Sequence, residues 1–302
     1  MTDFEWNNTR FANYDCVQMQ NGSLSLWVTS SVGPRIIGLA LHGGDNLFAA
    51  LPEAHAMTPA GQRYNFRGGH RLWHAPEDPE RTYVPDDDPV TVTAVSPQTI
   101  TFTQPTEPLT GIQKSISVTL PDASATVLVE HTLINRGKEP VTLAPWGITQ
   151  LKTGGFAILP QSDMDTGLLP NRRLAFWPYA RLDSPRVQLG NRFIFVQAIM
   201  TDEKFKVGWA NQASWLAYWV DDTLFMKEAA YQDEADYYDF GSSSECYCDD
   251  FCLELETLGP RTILASETAV SHQERWRVFA DVQLEPEETA VQATIARLRE
   301  AT

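Results

Sequence analysis

The chain has 302 residues, of which 39 are acidic and 23 basic, giving a formal net charge of −16. So acidic a body repels nucleic-acid phosphates and anionic lipid unless its cations gather on one face, and here Lys and Arg are scattered. With 43% apolar and 21% charged residues the composition is that of a folded globular protein, not a disordered or fibrous one.

Strand grammar runs from end to end: stretches that alternate, or are rich in Val, Ile, Thr and aromatics, lie between Gly, Pro and Asn. It places strands over residues 23–30 (SLSLWVTS), 89–95 (PVTVTAV), 99–103 (TITFT), 116–120 (ISVTL), 126–135 (TVLVEHTLIN) and 193–200 (FIFVQAIM). Returns at Pro121-Asp122 and at Asn135-Arg136-Gly137-Lys138 read as hairpins joining consecutive strands of an antiparallel meander. Only residues 287–299 carry a helical period, with Val291, Ile295 and Leu298 at i, i+4, i+7 behind the acidic turn Glu285-Pro286-Glu287-Glu288. The βαβ alternation of a doubly wound fold is absent, and no linker, repeat or low-complexity tract divides the chain. The expectation is all-β: one domain over residues 1–302, a sandwich or barrel with a short C-terminal helix.

No apolar run approaches the roughly 20 residues that span a bilayer, and the opening MTDFEW lacks the basic and apolar regions of a secretory signal. A cytoplasmic location is expected, with no nucleic-acid or membrane partner; a homodimer stays open. Cys16, Cys246, Cys248 and Cys252 are too few for a disulfide framework. The C-x-C-x3-C run has no second Cys/His cluster beside it to complete a tetrahedral metal site, so these read as small buried thiols.

Four stretches can carry chemistry. In residues 66–78 (FRGGHRLWHAPED) two glycines precede His70, Arg71, Trp73, His74 and Glu77. That density of titratable and aromatic groups is costly in a core and suits a polar cleft, although a surface loop of incidental polarity would look the same. Arg can fork to paired hydroxyls or a carboxylate, His can exchange a proton near neutral pH, and Trp offers a face to the C–H side of a pyranose. His70 and His74 have the i, i+4 spacing of helical metal ligands, but Gly68-Gly69 and Pro76 leave little room for a helix, and no metal is expected. In residues 143–151, Ala144, Trp146, Ile148 and Gln150 share one face, so Trp146 and Gln150 either point into one cleft or Trp146 packs in the core. Residues 215–219 (WLAYW) and 224–228 (LFMKE) set Lys227 at the end of an apolar strand, where it reaches a ligand or snorkels to water. The run from Asp233 to Asp239 reads as a solvated loop with packed tyrosines. Its register is not that of a calcium-binding EF-hand.

The sharpest signal is residues 251–257 (FCLELET). Period two puts Phe251, Leu253 and Leu255 on a core face, with Cys252, Glu254 and Glu256 opposite. Carboxylates at i, i+2 lie about 7 Å apart, where repulsion or burial can raise one into general-base range. The bland alternative is a solvent-facing strand. No G-x-S-x-G elbow, phosphate-binding P-loop, dinucleotide G-x-G-x-x-G or H-E-x-x-H appears, so no cofactor is expected.

Taken together, residues 24–28 (LSLWV), 32–39 (VGPRIIGL) and 44–48 (GDNLF), with Leu255-Glu256-Thr257 and the segments 263–267 (ILASE) and 272–276 (HQERW), resemble the galactose mutarotase-like superfamily, which includes the aldose 1-epimerases. The resemblance implies a large antiparallel supersandwich of about this length. It also implies a carbohydrate ligand and interconversion of sugar anomers: a carboxylate takes the anomeric hydroxyl proton while an acid protonates the ring oxygen, the ring opens, the carbonyl face turns and the ring recloses. Glu256 matches the family's L-E-T glutamate as the base, with Glu254 raising its pKa or binding a hydroxyl. One departure stands out. Where those epimerases carry an acid His after the corresponding turn, Asn135-Arg136-Gly137 leads here to Pro145-Trp146-Gly147 without one. His70, His74 or Lys227 is then expected to supply the proton, with Glu245 another group expected near the sugar; failing that, the protein binds sugar without turning it over. Arg71, Trp73, Glu77, Trp146 and Lys227 complete the expected binding set.

Overall fold

A computed structural model describes residues 4–122 and 124–300. Its strands, in chain order, are β1 (Glu5–Phe11), β2 (Tyr14–Gln20), β3 (Leu24–Thr29), β4 (Arg35–Leu41), β5 (Ala50–Met57), β6 (Arg63–Ala75), β7 (Thr91–Ser96), β8 (Thr99–Thr103), β9 (Ile112–Thr119), β10 (Thr126–Asn135) and β11 (Val141–Leu151). There follow β12 (Phe156–Pro160), β13 (Leu174–Phe176), β14 (Val187–Leu189), β15 (Phe193–Gln197), β16 (Phe205–Trp209), β17 (Trp215–Val220), β18 (Thr223–Glu228), β19 (Ser244–Cys248), β20 (Leu253–Leu258), β21 (Thr262–Leu264) and β22 (Ala269–Phe279). One longer helix, Glu288–Glu300, follows them.

These strands form two antiparallel sheets. A 12-stranded sheet runs β1-β2-β3-β4-β6-β11-β20-β19-β16-β13, with β5 on β6 and β21 on β11; a 10-stranded sheet runs β14-β15-β12-β17-β18-β22-β10-β9-β8-β7. Apolar side chains of both meet in one core, Leu26, Val28 and Leu255 from the first and Ile116, Val129 and Trp276 from the second. Each fully buried side chain of this kind contributes about 1.5–3 kcal/mol relative to exposure. The C-terminal helix sets Val291 and Ile295 on Phe195, Trp215 and Leu224, covering the outer face of the second sheet. Its Glu287 carboxylate accepts from the N–H groups of Thr289 (3.0 Å) and Ala290 (2.8 Å), which start the helix.

Pro121-Asp122 does join an antiparallel pair, β9 to β10. The return at Asn135 to Lys138 differs from the sequence reading. It carries the chain from β10 in one sheet to β11 in the other. The Asn135 side chain, 1% exposed, donates to the Glu139 and Leu264 carbonyls and so pins a crossover that looks locally like a hairpin.

Strand β6 changes partners midway. Residues 63–68 pair with β5, while residues 70–71 pair with β4 and 69–75 with β11. The change falls at Arg67-Gly68-Gly69, three consecutive residues with positive φ (63°, 91° and 71°). A Cβ on Gly68 would sit 2.0 Å from the Ala49 carbonyl oxygen, and one on Gly69 2.4 Å from that of Ile36, so only glycine fits.

Candidate functional site

Alternation turns one side of the 12-stranded sheet into the floor of a cleft of about 650 Å³. From β6 come Arg71 and Trp73, from β11 Trp146, Ile148 and Gln150, from β20 Glu254, from β19 Tyr247 and from β16 Lys206. Walls and rim add Leu51, Ala54 and His55 on β5, then Phe66, Glu77 and Tyr83, then Trp177, Tyr179 and Lys204, and finally Asp249, Phe251 and Cys252.

Two charged groups of side chains lie on this floor. In the first, Glu254 Oε1 accepts from Gln150 Nε2 at 2.8 Å and from Arg71 Nη2 at 3.2 Å, and the Arg71 guanidinium stacks 4.2 Å over the Trp73 ring. Three polar atoms here have no hydrogen-bond partner among the described residues: Arg71 Nε and Nη1, and Gln150 Oε1. In the second, Lys206 Nζ lies 2.7 Å from Glu245 Oε2 and 3.0 Å from Glu256 Oε2, between the Trp146 and Trp177 rings at 4.8 and 4.7 Å. Trp146 Nε1 also donates to Glu256 Oε2, at 2.8 Å, while Glu256 Oε1 has no partner among the described residues. Burial raises both carboxyls, Glu245 most strongly with the Glu256 charge adding to it; burial opposes the Lys206 charge, but the two flanking carboxylates outweigh it and hold its pKa well above the usual lysine value. On the rim Tyr83 O–H donates to Glu77. Burial raises Tyr83, with Glu77 reinforcing the shift, and burial also raises Tyr179 and Tyr247, so all three are proton donors rather than phenolates.

Arg71, Trp73, Glu77, Trp146 and Glu254, all expected from the sequence, therefore meet in one cleft. Glu245 and Glu256 lie beneath it, each 0% exposed behind Lys206, so Glu256 does not face the cavity as the L-E-T motif implied. Phe251 departs from the core face assigned to it: it precedes β20, is 71% exposed and lines the cleft.

His70, His74 and Lys227 are corrected more sharply. In the β-strand that holds them, His70 and His74 alternate with Arg71 and Trp73, and face the second sheet. His70 Nε2 lies 2.6 Å from His131 Nε2 and its Nδ1 2.9 Å from Thr149 Oγ1. Lys227 rises from the second sheet to bind Glu274 Oε1 (3.0 Å), the Gly147 and Leu255 carbonyls (3.0 Å each) and Thr149 Oγ1 (3.1 Å). Thr257 and Trp276 donate to the same Glu274 carboxylate. Burial pushes His70 and His131 down and takes His74 and His272 to about 3, so these imidazoles are neutral. Burial would raise Glu274, but Lys227 beside it holds the carboxyl low; burial lowers Lys227 in turn. Ligand atoms of His70, His131 and Glu274 come within 4.8 Å of one another, yet the Lys227 ammonium already supplies the cation that balances Glu274.

Sequence reasoning missed Lys206, Tyr83, Trp177, Tyr179, Tyr247 and His55. A signal existed for Lys206: in Phe205–Trp209 (FKVGW) a lone charge interrupts an otherwise apolar strand and must face away from Phe205 and Val207. The thiols are as read, all four free and buried, with Cys252 at the cleft edge.

No protein-family model and no curated protein matches the chain. Solved structures do. A TPR-domain containing protein from Parabacteroides distasonis superposes with a TM-score of 0.62 at 13% identity over 90% of this chain, which spans 48% of the length of that one. A galactose mutarotase-like protein from Lactobacillus casei matches at TM-score 0.56 and 12% identity, over 87% of this chain and 100% of its own. A proposed aldose 1-epimerase from Klebsiella pneumoniae matches at 0.56 and 9%, over 98% and 88%. At such identities the likeness is one of architecture: the chain has the galactose mutarotase-like fold, a supersandwich of two antiparallel sheets.

Proposed function

We propose that the cleft binds a carbohydrate and that the protein interconverts its anomers, without a cofactor, by acid–base catalysis. The observation that carries this reading is the Glu254 carboxylate on the cleft floor, held by Arg71 and Gln150 between aromatic walls. Trp73, Trp146 and Trp177 supply faces for the apolar side of a sugar ring, and the unpartnered Arg71 and Gln150 atoms supply donors and an acceptor for its hydroxyls. Glu254 takes the proton of the anomeric hydroxyl. The acid is His55 with both ring nitrogens protonated: Nδ1–H is held by the Glu53 carbonyl at 2.9 Å, and the Nε2 proton passes to the ring oxygen and is recovered when the ring recloses. As O1 loses its proton and O5 gains one, the C1–O5 bond breaks to the open aldehyde. Rotation about C1–C2 and the reverse transfers then give the other anomer.

A second reading, binding without turnover, is favoured by the burial of Glu256, the glutamate on the L-E-T motif, behind Lys206 and Trp146. Exchange NMR on a panel of aldoses, with Trp fluorescence titration of the same sugars, decides between them. Catalysed anomer exchange that disappears in Glu254→Gln supports the isomerase. Binding with background exchange supports the second reading, and no response to any sugar sinks both.

A further inference from the structure

A second concavity, of about 330 Å³, opens at the β13 edge of the 12-stranded sheet and shares no lining residue with the cleft. Its lining is opposite in charge to the chain as a whole. In a chain of net charge −16 it is lined by Arg172 and Arg173 and by no carboxylate; Asp163 and Asp165 belong to the same segment but not to the lining. Among the described residues neither arginine pairs with an acid. Arg172 Nε donates only to the Ser162 carbonyl, at 3.1 Å, and Arg173 packs against Gly241, where a Cβ would lie 1.9 Å from its Nη2. An independent feature points to a ligand. Trp209 in the lining is 4% exposed, and among the described residues its buried indole N–H finds no acceptor. A native protein rarely leaves such a donor unused. Gln212, also in the lining, has its Oε1 taken by the Ser162 hydroxyl, which leaves its amide N–H groups as the side chain's remaining polar capacity.

We propose that this pocket is an oxyanion site, taking the phosphate or carboxylate group of a small ligand. Two guanidinium groups not paired with an acid fork to such a group, a buried indole N–H adds a neutral donor, and no carboxylate in the lining repels the anion at close range. The site is independent of the sugar cleft, although both borrow from one strand pair: Leu174 opposite Trp209 lines the pocket, while Lys206 and Trp177 at the other end line the cleft.

The test is titration of the full chain at low salt with inorganic phosphate and, separately, with succinate. The readout is the Trp209 indole 15N–1H signal, identified by its absence in Trp209→Phe. Saturable movement of that signal by either anion is expected, and the pair of titrations shows whether phosphate or carboxylate is preferred. Arg173→Gln and Arg172→Gln should each weaken binding about tenfold, the loss of one charge-assisted contact. Arg181→Gln, an exposed arginine outside the pocket, and Glu254→Gln should leave it unchanged. If neither anion moves the indole signal, or both arginine variants bind like wild type, the proposal is overturned. Should Trp209→Phe fail to fold, the arginine variants decide alone.

Discussion

Two buried lysines, one on each side of the 12-stranded sheet, make the same contact for different ends. Between the sheets Lys227 faces one carboxylate, Glu274, and every donor it has meets an oxygen. Facing the cleft, Lys206 meets two carboxylates, Glu245 and Glu256, and Glu256 Oε1 and the neighbouring Arg71 keep unused hydrogen-bonding capacity. A saturated network holds sheets in register. An unsaturated one with an extra carboxyl keeps hydrogen-bonding capacity that packing has not used.

This contrast can be broken first at the lysines. Lys227→Met strands the Glu274 carboxylate in the core and should cost about 3–5 kcal/mol in urea unfolding. Lys206→Met should cost distinctly less, because both of its carboxyls are already raised toward the neutral acid by burial. Equal losses would erase the distinction. Next in size, Glu254→Gln should cut sugar anomer exchange at least about a hundredfold while leaving the urea midpoint near wild type.

The pH dependence sharpens the contrast from the inter-sheet side. Unfolded His protonates near 6.5, while His74, pushed by burial to about 3, stays neutral in the folded chain. Between those values the unfolded state binds more protons, so stability falls as pH drops from 6.5 toward 3. Each such histidine contributes up to about 1.4 kcal/mol per pH unit. His74→Leu should flatten the profile by that share, and an unchanged slope in acid unfolding would show that His74 titrates normally. Smallest of all, Trp177→Leu removes one ring beside Lys206 and should weaken sugar binding by about 1 kcal/mol, roughly fivefold, in fluorescence titration.

Much of this was legible in residue order. Period two in residues 99–103 and 126–135 gives β8 and β10 with the observed bounds, and in residues 143–151 Trp146 and Gln150 line the cleft together, the first of the two readings that their alternation left open. What alternation cannot tell is which face of a strand is inside. In Arg63–Ala75 it separates His70 and His74 from Arg71 and Trp73, but both sets are polar-aromatic, and only the stacking of the second sheet decides that the histidines are buried. The same holds for Lys227, whose partners lie about 80 residues away at Gly147 and Thr149. Asn135 misled for a related reason: a crossover and a hairpin use the same turn chemistry, and the difference lies in a contact with Leu264.

The partner exchange in β6 makes the cleft modular. Of the floor residues that follow Gly69, Arg71 is held by both β4 and β11 and Trp73 by β11, whereas the rim residues Leu51, Ala54 and His55 ride on β5, which among the described residues pairs with residues 63–68. Substitutions or length changes in residues 50–62 can therefore retune what the mouth admits while the floor keeps its register. Two glycines outside the cleft lining mark the seam between a doubly paired base and its lip.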